Sequence, residues 1–168
     1  MIYRDVALAD GPALAAMACV SFTETFGHLY TARDLATFLD RTFGPGGLPA
    51  QIGDPAYRIR LAVEGAAIAG FAKIGPVAFP GDWPERAIEL HQLYVLSGHQ
   101  GTGVGPTLMD WATDAARERG SSDMVLSVWV ENDRARAFYE RRGFVEVGRY
   151  VFRVGDHEDD DRLMRLTL

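Results

Sequence analysis

The sequence predicts a mixed α/β fold: one domain over residues 1–168 with a central, mostly antiparallel sheet, a parallel strand pair within it, and flanking helices. Two observations carry most of this. The chain has 168 residues, 48% of them hydrophobic and 24% charged, which is the size and balance of one compact domain with its own core. From residue 87 onward, apolar runs of strand length alternate with runs of helical period, and such alternation brings two strands side by side in parallel.

Taken in order, Met1 to Leu8 alternates loosely as an edge strand. Asp10 then stands where a helix N-cap belongs, with Pro12 in the first turn, and Leu14, Met17, Ala18 and Phe22 follow at helical spacing. Thr31-Ala32-Arg33-Asp34 has the form of a capping box with Asp in place of Glu, opening a second helix through Leu35, Phe38, Leu39 and Phe43 that ends near Gly44. Arg58 to Glu64 and Ile68 to Ile74 flank Gly65-Ala66-Ala67 as a hairpin, and Pro76 to Glu85 is a loop. The alternating half then reads Ala87 to Leu96 as strand, Gly105 to Arg119 as helix, Met124 to Val130 as strand, Asp133 to Arg142 as helix and Phe144 to Val154 as strand. Gly120 and Gly143 fall just past the two helices, where a left-handed residue is wanted. Arg162 to Leu168 makes a final strand, giving six to seven strands and about four helices. The acidic run Asp156-His157-Glu158-Asp159-Asp160-Asp161 before it reads first as an exposed, solvated turn.

Composition excludes several classes. A single cysteine, Cys19, lies among small apolar residues as buried filler, and no Cys/His grouping has zinc-ligand spacing, so neither disulfides nor a metal is expected. The net charge of −6 disfavours nucleic acid as a partner. No apolar run approaches the roughly 20 residues of a membrane span, and Met1 to Asp5 reads as strand rather than signal peptide, so a cytoplasmic protein is expected.

The chemistry concentrates in Leu93-Tyr94-Val95 and the segment Gln100-Gly101-Thr102-Gly103-Val104-Gly105-Pro106-Thr107. A strand runs through a glycine-rich turn into a helix, so successive backbone N–H groups converge on an anion, a phosphate first of all. The spacing is neither that of a nucleotide P-loop nor that of the dinucleotide fingerprint. A turn that only joins strand to helix is the alternative.

This segment resembles the Gln/Arg-x-x-Gly-x-Gly/Ala signature of the GCN5-related N-acetyltransferase (GNAT) superfamily. Asn132-Asp133-Arg134-Ala135-Arg136-Ala137-Phe138-Tyr139, closing on Gly143-Phe144, is similar to that family's second cofactor segment. Phe22-Thr23-Glu24-Thr25-Phe26, the Trp129 segment and Phe152 to Asp156 resemble, more narrowly, the bacterial spermidine/spermine N-acetyltransferase branch.

The resemblance implies the GNAT fold, with its splayed parallel pair, and acetyl-CoA as cosubstrate. Backbone N–H groups from Gln100 through Gly105 would hold the pyrophosphate with the Thr107 hydroxyl, and the strand at Leu93, Tyr94 and Val95 would pair with the pantetheine arm. Glu89 stands at the position of the family's base, and His91, two residues on, shares its face; either is a candidate to take the amine proton, and a half-buried strand histidine is the plainer reading of His91. Tyr139 matches the family's proton donor to the leaving thiolate, or packs in the core. Asn132 contacts the cofactor, caps its helix, or both. Glu24, His28, Tyr30, Trp83 and the acidic run are candidates for the acceptor pocket. The implied activity is N-acetyl transfer to a small primary amine, a polyamine first, with an amino acid, an antibiotic amine, a protein N-terminus or a non-catalytic acyl-CoA sensor as alternatives. A homodimer through the C-terminal strands stays open.

Overall fold

The computed structural model describes residues Met1–Leu168. Its strands are β1 (Ile2–Asp5), β2 (Arg58–Glu64), β3 (Ala67–Gly75), β4 (Ala87–Val95), β5 (Asp123–Trp129), β6 (Val145–Val154) and β7 (His157–Thr167). Its helices are α1 (Gly11–Phe26), α2 (Ala32–Phe43), α3 (Val104–Glu118) and α4 (Asp133–Arg141). The seven strands form one sheet in the order β1-β2-β3-β4-β5-β7-β6, antiparallel throughout except for the parallel β4–β5 pair.

Alternation along each strand sorts the side chains onto two faces. Ala72, Ile74, Ile88, Leu90, Met124, Leu126 and Met164 point to one face and bury the apolar stripe of α3, namely Val104, Leu108, Met109, Ala112, Ala115 and Ala116. Leu61, Val63 and Phe71 point to the other, against Leu14, Met17 and Phe22 of α1 and Phe38 and Phe43 of α2. Fully burying each large apolar side chain contributes about 1.5–3 kcal/mol, so both helical layers are held by the sheet rather than by helix propensity.

The predicted boundaries hold to within a few residues, with three differences. The first strand stops at Asp5, and the Asp10 side chain does not cap α1: its carboxylate accepts from the Ala7 amide at 2.7 Å and pairs with Arg4, closing a tight turn before the helix. Thr31 does cap α2, accepting from the Asp34 amide at 3.1 Å. The largest difference is the acidic run. It is no exposed turn: β7 begins at His157, and the period of two buries Asp159 and Asp161 while exposing Glu158 and Asp160. Five carboxylates in six residues look solvated in sequence, and only the pairing of β7 between β5 and β6 shows which of them turn inward.

Two local irregularities shape the middle of the sheet. β4 pairs with β5 only at residues Ala87, Ile88 and Glu89; beyond Val125 the fifth strand turns to β7 alone, so the β5-facing edge of β4 from Leu90 to Val95 is unpaired. On its other edge β4 slips register against β3, with Ile74 opposite Leu90 and Lys73 opposite Gln92, so His91 is the extra residue of a bulge.

Candidate active site

The splay opens a cavity of about 560 Å³ between β4 and β5, walled by α1, the start of α3, α4 and β7. Its lining includes Leu93, Tyr94, Val95, Gln100, Gly101, Gly105, Asn132 and Tyr139 of the predicted cofactor set, His91 of the predicted catalytic set and Tyr30 of the predicted acceptor set. Phe26, Ser127, Trp129, Arg134, Asp159 and Asp161 also line it.

At the cofactor end the backbone is prepared for a ligand. The Leu96 amide donates to Ala69 across β3 at 3.0 Å, so the Val95 amide one residue earlier points the other way, into the gap. The Val95 carbonyl on that side accepts from the Gln100 side chain at 3.0 Å. Gly101 and Gly103 have φ of +80° and +94°, and a Cβ built on either meets nothing within 4 Å. Internal packing therefore does not require glycine there; the left-handed backbone does, and the open space leaves room for close approach of an anion. No backbone acceptor engages the amides of residues 101 to 105. The Gln100 amide, in contrast, is occupied by Ser97 O at 3.3 Å, and the Gln100 side chain is braced by Arg134. The Thr102 and Thr107 hydroxyls donate to His99 O at 2.6 Å and Gly103 O at 3.0 Å, and the Val104 side chain lies in the core. Asn132 is an N-cap whose side chain accepts from the Ala135 amide at 3.2 Å, while also facing the cavity.

In the middle stand the titrating groups. Glu89 is buried, and its Oε2 accepts from the Ala78 amide at 2.8 Å while Oε1 lies 3.1 Å from His91 Nδ1. His91 Nε2 lies 3.0 Å from Pro76 O. A carbonyl only accepts, so Nε2 carries a hydrogen, and a single proton is shared between Nδ1 and Oε1. Glu89 itself does not line the cavity; His91 does, so the carboxylate stands behind the ring. Burial pushes the Glu89 carboxyl up to about 7 and His91 down to about 4. Buried Lys73 lies on the neighbouring strand β3, donating to Gln51 at 2.6 Å over the ring of Tyr57, and burial lowers it to about 8. Tyr139 packs edge-on against Phe138 and Phe144, and burial raises its phenol well above the usual tyrosine range, so it stays protonated at neutral pH.

At the far end Tyr30 donates to Asp159 Oδ2, and Asp159 Oδ1 lies 3.0 Å from His157. Asp161 sits beside Ser127, its carboxyl pushed up to about 6 by burial. The other acceptor candidates are placed elsewhere. Glu24 accepts from the Ser97 amide and hydroxyl at 3.2 and 3.0 Å, tying α1 to the turn after β4. His28 sits edge-on to Trp129 behind the cavity wall, and Trp83 donates to Phe79 O within the β3–β4 loop. Sequence reasoning missed Lys73, Ser127 and Arg134; only Arg134, inside the second cofactor segment, carried a local signal.

The sequence profile of the acetyltransferase (GNAT) family matches residues 14–144. An uncharacterised N-acetyltransferase of Lactobacillus delbrueckii subsp. lactis is 30% identical over 95% of this chain and 92% of its own length. An uncharacterised N-acetyltransferase of Mycobacterium tuberculosis is 31% identical over 94% of this chain and 97% of its own. Among solved structures, the PaiA N-acetyltransferase of Thermoplasma acidophilum in complex with coenzyme A superposes with a TM-score of 0.81 at 19% identity, covering 99% of this chain and 98% of that one.

Proposed function

The chain belongs to the acetyltransferase (GNAT) family and is an acetyl-CoA-dependent N-acetyltransferase, and on that premise we propose that it acetylates a primary amine of a small molecule by direct attack in a ternary complex, with a polyamine such as spermidine or spermine as the first acceptor to test. The observation that carries this reading is the meeting, in one cavity, of an unpaired strand edge, a turn of free amides and a protonated tyrosine opposite a proton-sharing Glu–His pair.

The residues fit the cosubstrate. Acetyl-CoA, when bound, supplies an activated acetyl group. The free amides of residues 101 to 105 hold its pyrophosphate at the start of α3, the edge from Leu90 to Val95 pairs with its arm as with a short extra strand, and Arg134 adds positive charge nearby. The Val95 amide is the donor placed to steady negative charge on the acyl oxygen.

Attack needs a neutral amine, and removing the proton of an alkylammonium at pH 7 costs roughly 4–5 kcal/mol. The form of the Glu89–His91 pair that has lost the proton between Oε1 and Nδ1 takes the amine proton and refills that position, with Glu89, near 7, as the group of suitable basicity. The nitrogen–carbon bond forms as the carbon–sulfur bond breaks, and the Tyr139 hydroxyl donates to the departing sulfur. Release of coenzyme A thiol across a panel of polyamines, amino acids, aminoglycosides and peptides tests this. Turnover of an amine that falls at least roughly 100-fold in Glu89→Gln and in Tyr139→Phe is the expected result. Tight acetyl-CoA binding without thiol release for any amine would instead make the protein an acyl-CoA sensor.

A further inference from the structure

The far end of the cavity holds a carboxylate with no ion-pair partner: the charge of Arg162 acts on it, but the guanidinium gives its hydrogen bonds to the Asp160 carboxylate and the Asp161 backbone carbonyl. Asp161 is only 6% exposed, and what exposure it has is to the cavity it lines. Its chain neighbours are committed elsewhere: Asp159 holds the Tyr30 hydroxyl and the His157 ring, and Asp160 points away to pair with Arg162, which also reaches Glu146. Besides Arg162, the polar side chain at Asp161 that favours its ionised form is Ser127, and a hydroxyl carries no charge. Burying a carboxylate without an ion-pair partner is expensive, and such groups are ordinarily paired.

A second, independent group on the same cavity wall lacks its partner too. The side-chain oxygen of Gln92, on the stretch of β4 beside the splay, is buried with no hydrogen-bond partner. Both groups are acceptors, so the missing ligand is a donor, and the carboxylate requires it to be positive. A divalent metal needs six or so oxygen ligands, and one free carboxylate with one amide oxygen falls far short. An alkylammonium, with up to three N–H groups and a single charge, supplies what both lack.

We propose that Asp161 anchors a second, cationic nitrogen of the acceptor, making the enzyme selective for amines that carry two nitrogens a short chain apart. This rests on the acetyltransferase reading and sharpens it. One cavity then treats two nitrogens oppositely: the one near His91 loses its proton and reacts, and the one at Asp161 keeps its charge and fixes the reach of the chain.

The test compares kcat/KM for butane-1,4-diamine with that for butylamine, which differs only in the distal nitrogen, in the wild type and in Asp161→Asn. The wild type should favour the diamine by roughly 100-fold, and the substitution should bring that ratio to within a few-fold of one, mostly through the KM of the diamine. Asp161→Glu retains the charge on a longer side chain; it should keep a preference for diamines and move it to propane-1,3-diamine. A rise in melting temperature with acetyl-CoA shows that each variant is folded. Equal use of the two amines by the wild type, or an equal loss for both in Asp161→Asn, would overturn the proposal while leaving acetyl transfer intact. Thiol release with neither amine would overturn this proposal together with the polyamine as acceptor.

Discussion

Glu89, His91 and Lys73 meet in a dry corner of the sheet, and burial favours the neutral form of all three. It raises the carboxyl to about 7 and lowers the histidine and the lysine. The lysine cation opposes this at Glu89, because positive charge nearby stabilises the carboxylate. Removing it while keeping its bulk, as in Lys73→Met, therefore raises the Glu89 pKa further. The active form of the pair then appears at higher pH. The acid limb of the kcat/KM profile should move up by about one pH unit, with little change in the maximum at alkaline pH. An unmoved limb would mean that the lysine only fills space. No local pattern marks Lys73 as part of a site: it sits in an apolar strand, and its relevance comes from a register slip that turns His91 toward the same corner.

At the level of elements, the turn from β4 into α3 was the most legible part of the molecule. Glycine spacing is a local property, and the left-handed φ values at Gly101 and Gly103 are the ones that spacing demands. Gly98, in the same turn, has ordinary φ and open space around it, so Gly98→Ala should change nothing. Gly103→Val should cost about 1–2 kcal/mol in stability and weaken acetyl-CoA binding by tenfold or more, measured by calorimetry. Equal affinity in the two variants would remove this turn from the cofactor site. The helices α3 and α4 and the β2–β3 hairpin were legible for the same reason. What was not legible depends on distant partners. Tyr30 and Asp159 are 129 residues apart in sequence, and nothing in the acidic run says which carboxylates a neighbouring strand will bury. Glu24, an acceptor-pocket candidate by sequence, accepts from Ser97, a contact across 73 residues that no local pattern announces.

Over the whole molecule, the buried carboxylate of Asp161, which has no ion-pair partner, has a thermodynamic signature. Its folded-state pKa of about 6 lies above the ordinary value of 3.8, so between those limits the native state binds more protons than the unfolded chain. Stability contributed by this group is full at low pH and is lost as pH rises through about 6, up to roughly 3 kcal/mol in all. Glu89 acts in the same sense and His91 in the opposite one over overlapping ranges, which leaves Asp161 as the distinguishable contribution. The stability of Asp161→Asn relative to wild type, from urea unfolding, should rise by up to about 3 kcal/mol between pH 4 and pH 7; a constant difference would place a compensating cation beside the wild-type group. The splay has a consequence of a different kind. Unpaired strand edges invite other chains, and the outer edge, β6, carries Glu146, Arg149 and Arg153 against such encounters, while β1 is only four residues long. The inner edge, Leu90-His91-Gln92-Leu93-Tyr94-Val95, carries no lysine, arginine, aspartate or glutamate at all. It is shielded by position instead, recessed between helices in the middle of a sheet, where a full strand of another molecule has no room to lie down. The fold can thus keep a sticky template permanently bare without the charges that would repel a cosubstrate along with an intruder.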